Sequence, residues 1–264
     1  MIELVAVDMV FKAGTPLEKR ALRDISLKIP EGSFVTVIGS NGAGKSTLLS
    51  MLAGDVLPTR GAVKINGDDV SGQKTAQRAT SVARVFQDPL AGSCGALTIE
   101  ENLALSGRRG RSRGLRSALT RRLREDFRAR IAALGLGLEN RLHDRMDTLS
   151  GGQRQAVSLV MATLAKADVL LLDEHTAALD PGMADFVMSL TERLVREYHL
   201  TTLMVTHSMR QALDFGSRTF MLHGGEIIFD IAGEERKTLT VEDLLRKFRK
   251  VRGEALDDDE LLMD

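Results

Sequence analysis

At 264 residues, with 43% apolar and 27% charged side chains, the sequence has room for a hydrophobic core in one large α/β domain or two small ones. Its 36 basic and 36 acidic residues balance to a formal net charge of zero, so bulk charge points to neither a nucleic acid nor an acidic substrate. A single cysteine, Cys94, excludes a disulfide framework within the chain and fits a reducing compartment; with no tryptophan and one tyrosine, Tyr198, a nucleic-acid surface of stacked aromatics is disfavoured.

In chain order, Met1 to Val10 alternates apolar residues with Glu3 and Asp8, which predicts a strand and not a secretory signal. The opening third reads as β-rich: Glu3 to Phe11, Asp24 to Ile29 and Val63 to Ile65 are strand-like pieces separated by turns such as Pro30-Glu31-Gly32. Phe34 to Ile38 reads as a buried strand that runs into a glycine-rich loop and then a helix starting near Lys45, the start of a parallel α/β unit.

From about Thr98 to Thr148 the character becomes helical and rich in arginine: Arg108, Arg109, Arg111, Arg113, Arg116, Arg121, Arg122, Arg124, Arg128 and Arg130. Leu115, Leu119, Leu123 and Phe127 recur at a helical spacing and predict one apolar face. From Ser150 the α/β pattern resumes, with helices expected over Ser150 to Lys166 and Pro181 to Glu197. Strands are expected over Val169 to Leu172, Thr202 to Val205, Thr219 to Leu222 and Glu226 to Asp230, the last two joined through His223-Gly224-Gly225 as a hairpin. The end, about 251 to 264, reads as an acidic tail with Glu254, Asp257, Asp258, Asp259 and Glu260. No apolar run approaches the roughly 20 residues of a spanning helix, so a membrane role requires a partner.

Gly39-Ser40-Asn41-Gly42-Ala43-Gly44-Lys45-Ser46-Thr47 matches the Walker A pattern. Glycines let the backbone wrap around phosphate oxygens with successive N–H groups turned inward, and the following helix adds its positive end. Lys45 is expected on the β- and γ-phosphates, Ser46 on Mg²⁺ and Thr47 on the α-phosphate. Val169-Leu170-Leu171-Leu172-Asp173-Glu174 adds a Walker B pattern, with Asp173 at a strand's carboxyl end to support Mg²⁺ through water and Glu174 placed to polarise the attacking water as general base.

Between these, Leu149-Ser150-Gly151-Gly152-Gln153 resembles the ABC signature. Gln87 in Val85-Phe86-Gln87-Asp88-Pro89 resembles the Q-loop glutamine, Ala177-Ala178-Leu179-Asp180 the D-loop, and His207 in Val205-Thr206-His207 the switch histidine. Singly each has a plainer reading; Ser150 followed by two glycines is also a capped helix start. Their joint order resembles that of ABC ATPases over residues 1 to 250.

The resemblance implies a P-loop NTPase (RecA-like) core of about 1–97 and 149–250, an N-terminal antiparallel β subdomain, and an inserted α-helical subdomain of about 98–148, all in one ABC ATPase domain. It implies that Ser150, Gly151, Gly152 and Gln153 serve the ATP of a second nucleotide-binding subunit, a copy of this chain being the simplest. It further implies that His207 contacts the γ-phosphate and holds the water with Glu174, that Gln87 touches Mg²⁺ or water, that Asp180 lies in the D-loop, and that Phe11 stacks on adenine where the family usually has Tyr. A permease would dock against the helical segment and residues 88 to 100, some arginines would face anionic lipid or simply solvent, and the chain would sit peripherally on the cytoplasmic face of the membrane.

Two departures stand out. His175 replaces the Pro usual after the catalytic Glu and is expected at the surface, with titration near the site as the alternative; Ala177 replaces the usual Ser of the D-loop. Asp173 to Pro181 resembles a bacterial subgroup associated with periplasmic binding proteins for aromatic amino acids or related solutes, which implies import with a solute-binding protein as partner. A cluster-assembly ATPase of the same family is the main alternative; a small-molecule kinase is disfavoured by Leu149 to Gln153.

Overall fold

A computed structural model describes residues 1–110 and 119–252. Arg111, Arg113, Leu115, Arg116 and the acidic tail from Gly253 lie outside the described residues. In chain order the strands and helices are β1 (Ile2–Phe11), β2 (Lys19–Ile29), β3 (Phe34–Ile38), α1 (Lys45–Ala53), β4 (Arg60–Ile65), β5 (Asp68–Asp69), α2 (Thr75–Arg78), β6 (Val82–Val85), α3 (Ile99–Gly107) and α4 (Arg121–Ala132). They continue as α5 (Gly151–Leu164), β7 (Val169–Asp173), α6 (Pro181–Tyr198), β8 (Thr201–Val205), α7 (Met209–Asp214), β9 (Arg218–His223), β10 (Glu226–Ala232), α8 (Gly233–Thr238) and α9 (Val241–Arg252). No described helix is long and apolar enough to cross a membrane.

The chain divides into two compact units, one of residues 1–74 with the segment from Thr201 onward, the other Thr75–Leu200. In the first, β2, β1, β4 and β5 form an antiparallel sheet, the expected N-terminal β subdomain. Alternation along β1 buries Ile2, Leu4, Val7 and Met9. The remaining strands of this unit run in the order β10-β9-β3-β8, with β3 parallel to both β8 and β9, and β9 turning through Gly224-Gly225 into antiparallel β10. Strand β3 is apolar apart from Thr36, whose buried hydroxyl donates to the Ala212 carbonyl, because it is buried throughout. Helix α9, which sequence periodicity did not single out, lays Leu244 and Phe248 against Ile38, Met209, Met221 and Ile231.

In the second unit β6 and β7 pair in parallel, Val82 opposite Val169 through Val85 opposite Leu172. Val169 to Leu172 are fully buried, each contributing about 1.5–3 kcal/mol of burial. Helix α3 opens on a capping box: the Thr98 hydroxyl accepts the Glu101 N–H while the Glu101 carboxylate accepts the Thr98 N–H. Helix α4 begins later than the leucine spacing implies. Thr120 caps it by accepting the Leu123 N–H, which leaves Leu119 ahead of the helix, and the buried face is made by Phe127 and Ile131. Residues 99 to 148 contain α3, α4 and two short 3-10 turns, Leu138–Asn140 and Met146–Thr148, with no strand among the described residues. The arginines here are partly engaged: Arg124 makes a bidentate pair with the nearly buried Glu100, and Arg109 reaches the carbonyls of Ala162 and Ala165.

Candidate functional site

The glycine-rich loop leaves β3 at Gly39 and enters α1 at Lys45. Two of its glycines have positional reasons. Gly39 has φ 149° and a Cβ there would lie 2.2 Å from the Leu222 carbonyl oxygen; Gly44 has φ 107° and a Cβ would lie 2.6 Å from that of Ala21. The loop is therefore pressed against β9 and β2 by backbone approaches that only glycine permits. Inside it the Ala43 N–H bonds the Ser40 carbonyl, and the Ala43 carbonyl accepts the Gly225 N–H. No side chain caps α1, which leaves its positive end for an anion to cap. Lys45 is 5% exposed and folds back over the loop, its Nζ donating to the Gly39 carbonyl at 2.6 Å and the Ser40 carbonyl at 3.2 Å. Ser40, Asn41, Gly42, Ser46 and Thr47 complete the loop and the first turn of α1.

The same unit carries His207 and Phe11. His207 is exposed just past β8, on a turn set by Thr206, whose N–H bonds the Val37 carbonyl and whose hydroxyl donates to Gln211 Oε1. Ser208 then caps α7. Phe11 ends β1 half-buried, opposite Lys19 in β2.

In the other unit, Asp173 closes β7 and Glu174 follows with φ 46°, a left-handed conformation uncommon for a residue with a side chain and frequent at functional sites. A turn in which the Ala177 N–H bonds the Glu174 carbonyl leads to Asp180, which caps α6 by accepting the Met183 N–H, with Pro181 in the first turn. His175 is corrected from its expected surface position. It is 2% exposed, its Nε2 lies 3.0 Å from Oγ1 of Thr191 on α6, and burial pushes its pKa down to about 4. Thr191 on α6 is too far along the chain for local sequence to show the contact.

The signature segment starts α5. Ser150 is the N-cap, its hydroxyl accepting the Gln153 N–H while Gln153 Oε1 accepts the Ser150 N–H. Ser150 and Gly151 are exposed, whereas Gly152 is buried: a Cβ there would sit 2.0 Å from Met183 Cγ. Gln87 is exposed beyond β6. Two residues of α5 and β6 that motif reading passed over tie these parts together. Gln155, fully buried, donates from Nε2 to the Phe86 carbonyl at 3.2 Å, next to Gln87. Arg84 donates from Nη2 to Asp173 Oδ2 at 2.6 Å. The available signal for Arg84 is a charge inside the otherwise apolar Val82-Ala83-Arg84-Val85.

These parts also have counterparts in known proteins. The family model described as ABC transporter matches residues 22–177. The chain is 43% identical to a tyrosine transport ATP-binding protein of Clostridioides difficile, over 85% of this chain and 89% of that one. It is 30% identical to phosphonates import ATP-binding protein PhnC 3 of Halalkalibacterium halodurans, over 97% of each. Among solved structures, the ATP-binding cassette MJ0796, dimeric in a post-hydrolysis state with ADP and Pi, superposes with a TM-score of 0.76 at 30% identity, covering 88% of this chain and 98% of that one.

Proposed function

The chain belongs to the ABC transporter family as an ATP-binding and ATP-hydrolysing subunit, and from that premise we propose that it drives import of a small solute, an aromatic amino acid or a related compound, through a separate membrane permease. The capped, exposed start of α5 carries the mechanism. A helix N-terminus with Ser150 and Gly151 at the surface is a second anion site that the chain's own Walker A loop does not require. ATP bound by one copy is closed over by the signature segment of a second, so binding assembles a dimer and hydrolysis releases it. The phosphonates import relative supports the direction, and the tyrosine transport relative supports the solute class.

Each residue has a role in this reading. Phe11 stacks on adenine; Gly39, Ser40, Asn41, Gly42, Ala43 and Gly44 wrap the phosphates; Lys45 neutralises the β- and γ-phosphates; Thr47 contacts the α-phosphate. Glu174 takes a proton from the water that attacks the γ-phosphorus, giving ADP and phosphate, while His207 holds the γ-phosphate and the water. Asp180 belongs to the D-loop. Ser46, Gln87 and Asp173 offer hydroxyl, amide and carboxylate oxygens, the hard donors Mg²⁺ takes. No group of three or more His, Cys, Asp or Glu among the described residues could cage a metal alone, which suits an ion arriving with the nucleotide. When bound, Mg²⁺ offsets charge on the phosphates. Residues 98 to 148 act as the helical subdomain of a single ATPase domain and, with residues 88 to 100, receive the permease at the cytoplasmic face of the membrane. A solute-binding protein delivers the cargo.

Vesicles containing the permease test the direction: ATP on the side of this subunit drives labelled tyrosine or a related solute toward that side, and movement the other way overturns import. Glu174→Gln, which keeps the ligands of ATP and loses water activation, elutes as a dimer from size exclusion with Mg-ATP. A monomer with full turnover overturns the dimer mechanism.

A further inference from the structure

Arg84 belongs to none of the motifs, yet it grips a carboxylate to which one of them assigns a function. Its Nη2 is 2.6 Å from Asp173 Oδ2, and the two side chains are 13% and 15% exposed. In the parallel register of β6 and β7, Arg84 stands opposite Leu171, so the guanidinium reaches two positions forward to meet Asp173. Phe86 supports that reach. It lies two residues on, hence on the same side of the chain, and the Arg84 Cζ sits 4.7 Å from its ring centroid. A largely buried ion pair is poor evidence of a gain in stability over apolar packing, and an arginine in the Val82-Ala83-Arg84-Val85 strand is a costly way to fill space.

We propose that Arg84 is a positioning residue for Asp173: it holds one carboxylate oxygen, presents the other, and through its charge sets how tightly Asp173 supports Mg²⁺. The inference rests on the proposed role of Asp173. Two cations share one carboxylate, so the guanidinium weakens the pull of Asp173 on the metal while preventing the side chain from turning away. Removing it strengthens metal binding and slows turnover, opposite effects that a merely structural arginine does not produce.

The experiment compares the full chain with Arg84→Met, Arg84→Lys and Phe86→Leu, each also in an Asp173→Asn background. Mn²⁺ serves as the metal probe, titrated into ADP-loaded protein and followed by electron paramagnetic resonance; ATPase rates are measured against free Mg²⁺, and nucleotide binding in EDTA gives each variant its reference. Arg84→Met is expected to bind Mn²⁺ at least roughly 10-fold tighter, the lower bound for removing one charge about 6 Å from a divalent ion even at the dielectric of water, with a lower kcat. Arg84→Lys keeps the charge and not the fork, so its metal affinity stays near wild type while kcat falls. Phe86→Leu, which frees the guanidinium from its ring, lowers kcat as well. In the Asp173→Asn background the Arg84 substitutions lower kcat no further, because no carboxylate remains to be positioned.

A folded Arg84→Met with wild-type Mn²⁺ affinity overturns the proposal. If Arg84→Met does not fold, an Arg84→Lys protein with wild-type kcat overturns it instead. Asp173→Asn alone with wild-type metal dependence overturns the role of Asp173, a separate outcome.

Discussion

The imidazole of His175 and the hydroxyl of Thr191 meet at 3.0 Å inside the second unit, and the direction of that hydrogen bond is set by a third group. The single Thr191 hydroxyl proton goes to the Val187 carbonyl at 2.8 Å, so Nε2 of His175 is the donor, and burial, which lowers the pKa to about 4, keeps the ring neutral near pH 7. The residue after the proposed general base is thereby anchored to α6, and Glu174 holds its left-handed backbone beside a fixed point.

That arrangement gives stability a pH dependence. Burial lowers the folded pKa of His175 from 6.5 to about 4. Above 6.5 the ring is neutral in both folded and unfolded chains and nothing is lost. Between 6.5 and about 4 the unfolded chain takes up a proton that the folded chain refuses, so stability falls with pH by roughly 3 kcal/mol in total and levels off below. Urea unfolding across this range is expected to show the loss in the wild type and a shallower slope in His175→Gln; equal slopes would remove His175 from the account.

Lys45→Ala removes a buried ammonium that the loop keeps pointed at its own carbonyls. Charge-assisted bonds to phosphate contribute about 1.5–3 kcal/mol each, so losing two lowers ATP affinity by at least about 100-fold. Equilibrium titration with a fluorescent nucleotide measures it, and undiminished affinity would contradict the assigned role.

Ser150→Arg places a long cation at the exposed cap of α5. Nucleotide binding by the monomer is expected to persist, because the cap serves the ATP of the other copy, while ATPase activity is lost. Retained hydrolysis in a steady-state phosphate-release assay would count against the shared-site mechanism.

Gly152→Ala forces a methyl to within 2.0 Å of Met183 Cγ. Overpacking of this kind costs about 1–3 kcal/mol. Thermal denaturation is expected to show the loss, and Gly152→Ala with Met183→Ala is expected to recover part of it; a double variant no more stable than the single one would mean that Met183 is not the obstacle.

Much of the candidate site was legible in the sequence because it is built from contiguous segments. Gly39 to Thr47 carries its own loop conformation in its glycines, Asp180 and Ser150 announce helix starts through local caps, and an apolar run ending in Asp173-Glu174 marks a strand's carboxyl end. What escaped were the partnerships. His175 read as a surface residue because nothing near it in sequence reveals Thr191. Nothing in the short, charge-bearing Val82-Ala83-Arg84-Val85 marks a strand by itself, and the cap at Thr120 leaves Leu119 ahead of α4 despite its helical spacing.

The sequence by itself determined the nucleotide loop, the order of the motifs and the ends of the main helices, all of which depend on backbone preferences and side chains within a few residues of each other. The tertiary structure alone decided that Arg84 would reach Asp173 across 89 positions, that Gln155 would bond the carbonyl before Gln87, and that His175 would be buried on Thr191. The reason is geometric: a cap or a glycine turn closes over one local loop of chain, whereas those three contacts exist only once β6 and β7 are in register and α5 and α6 are packed in place.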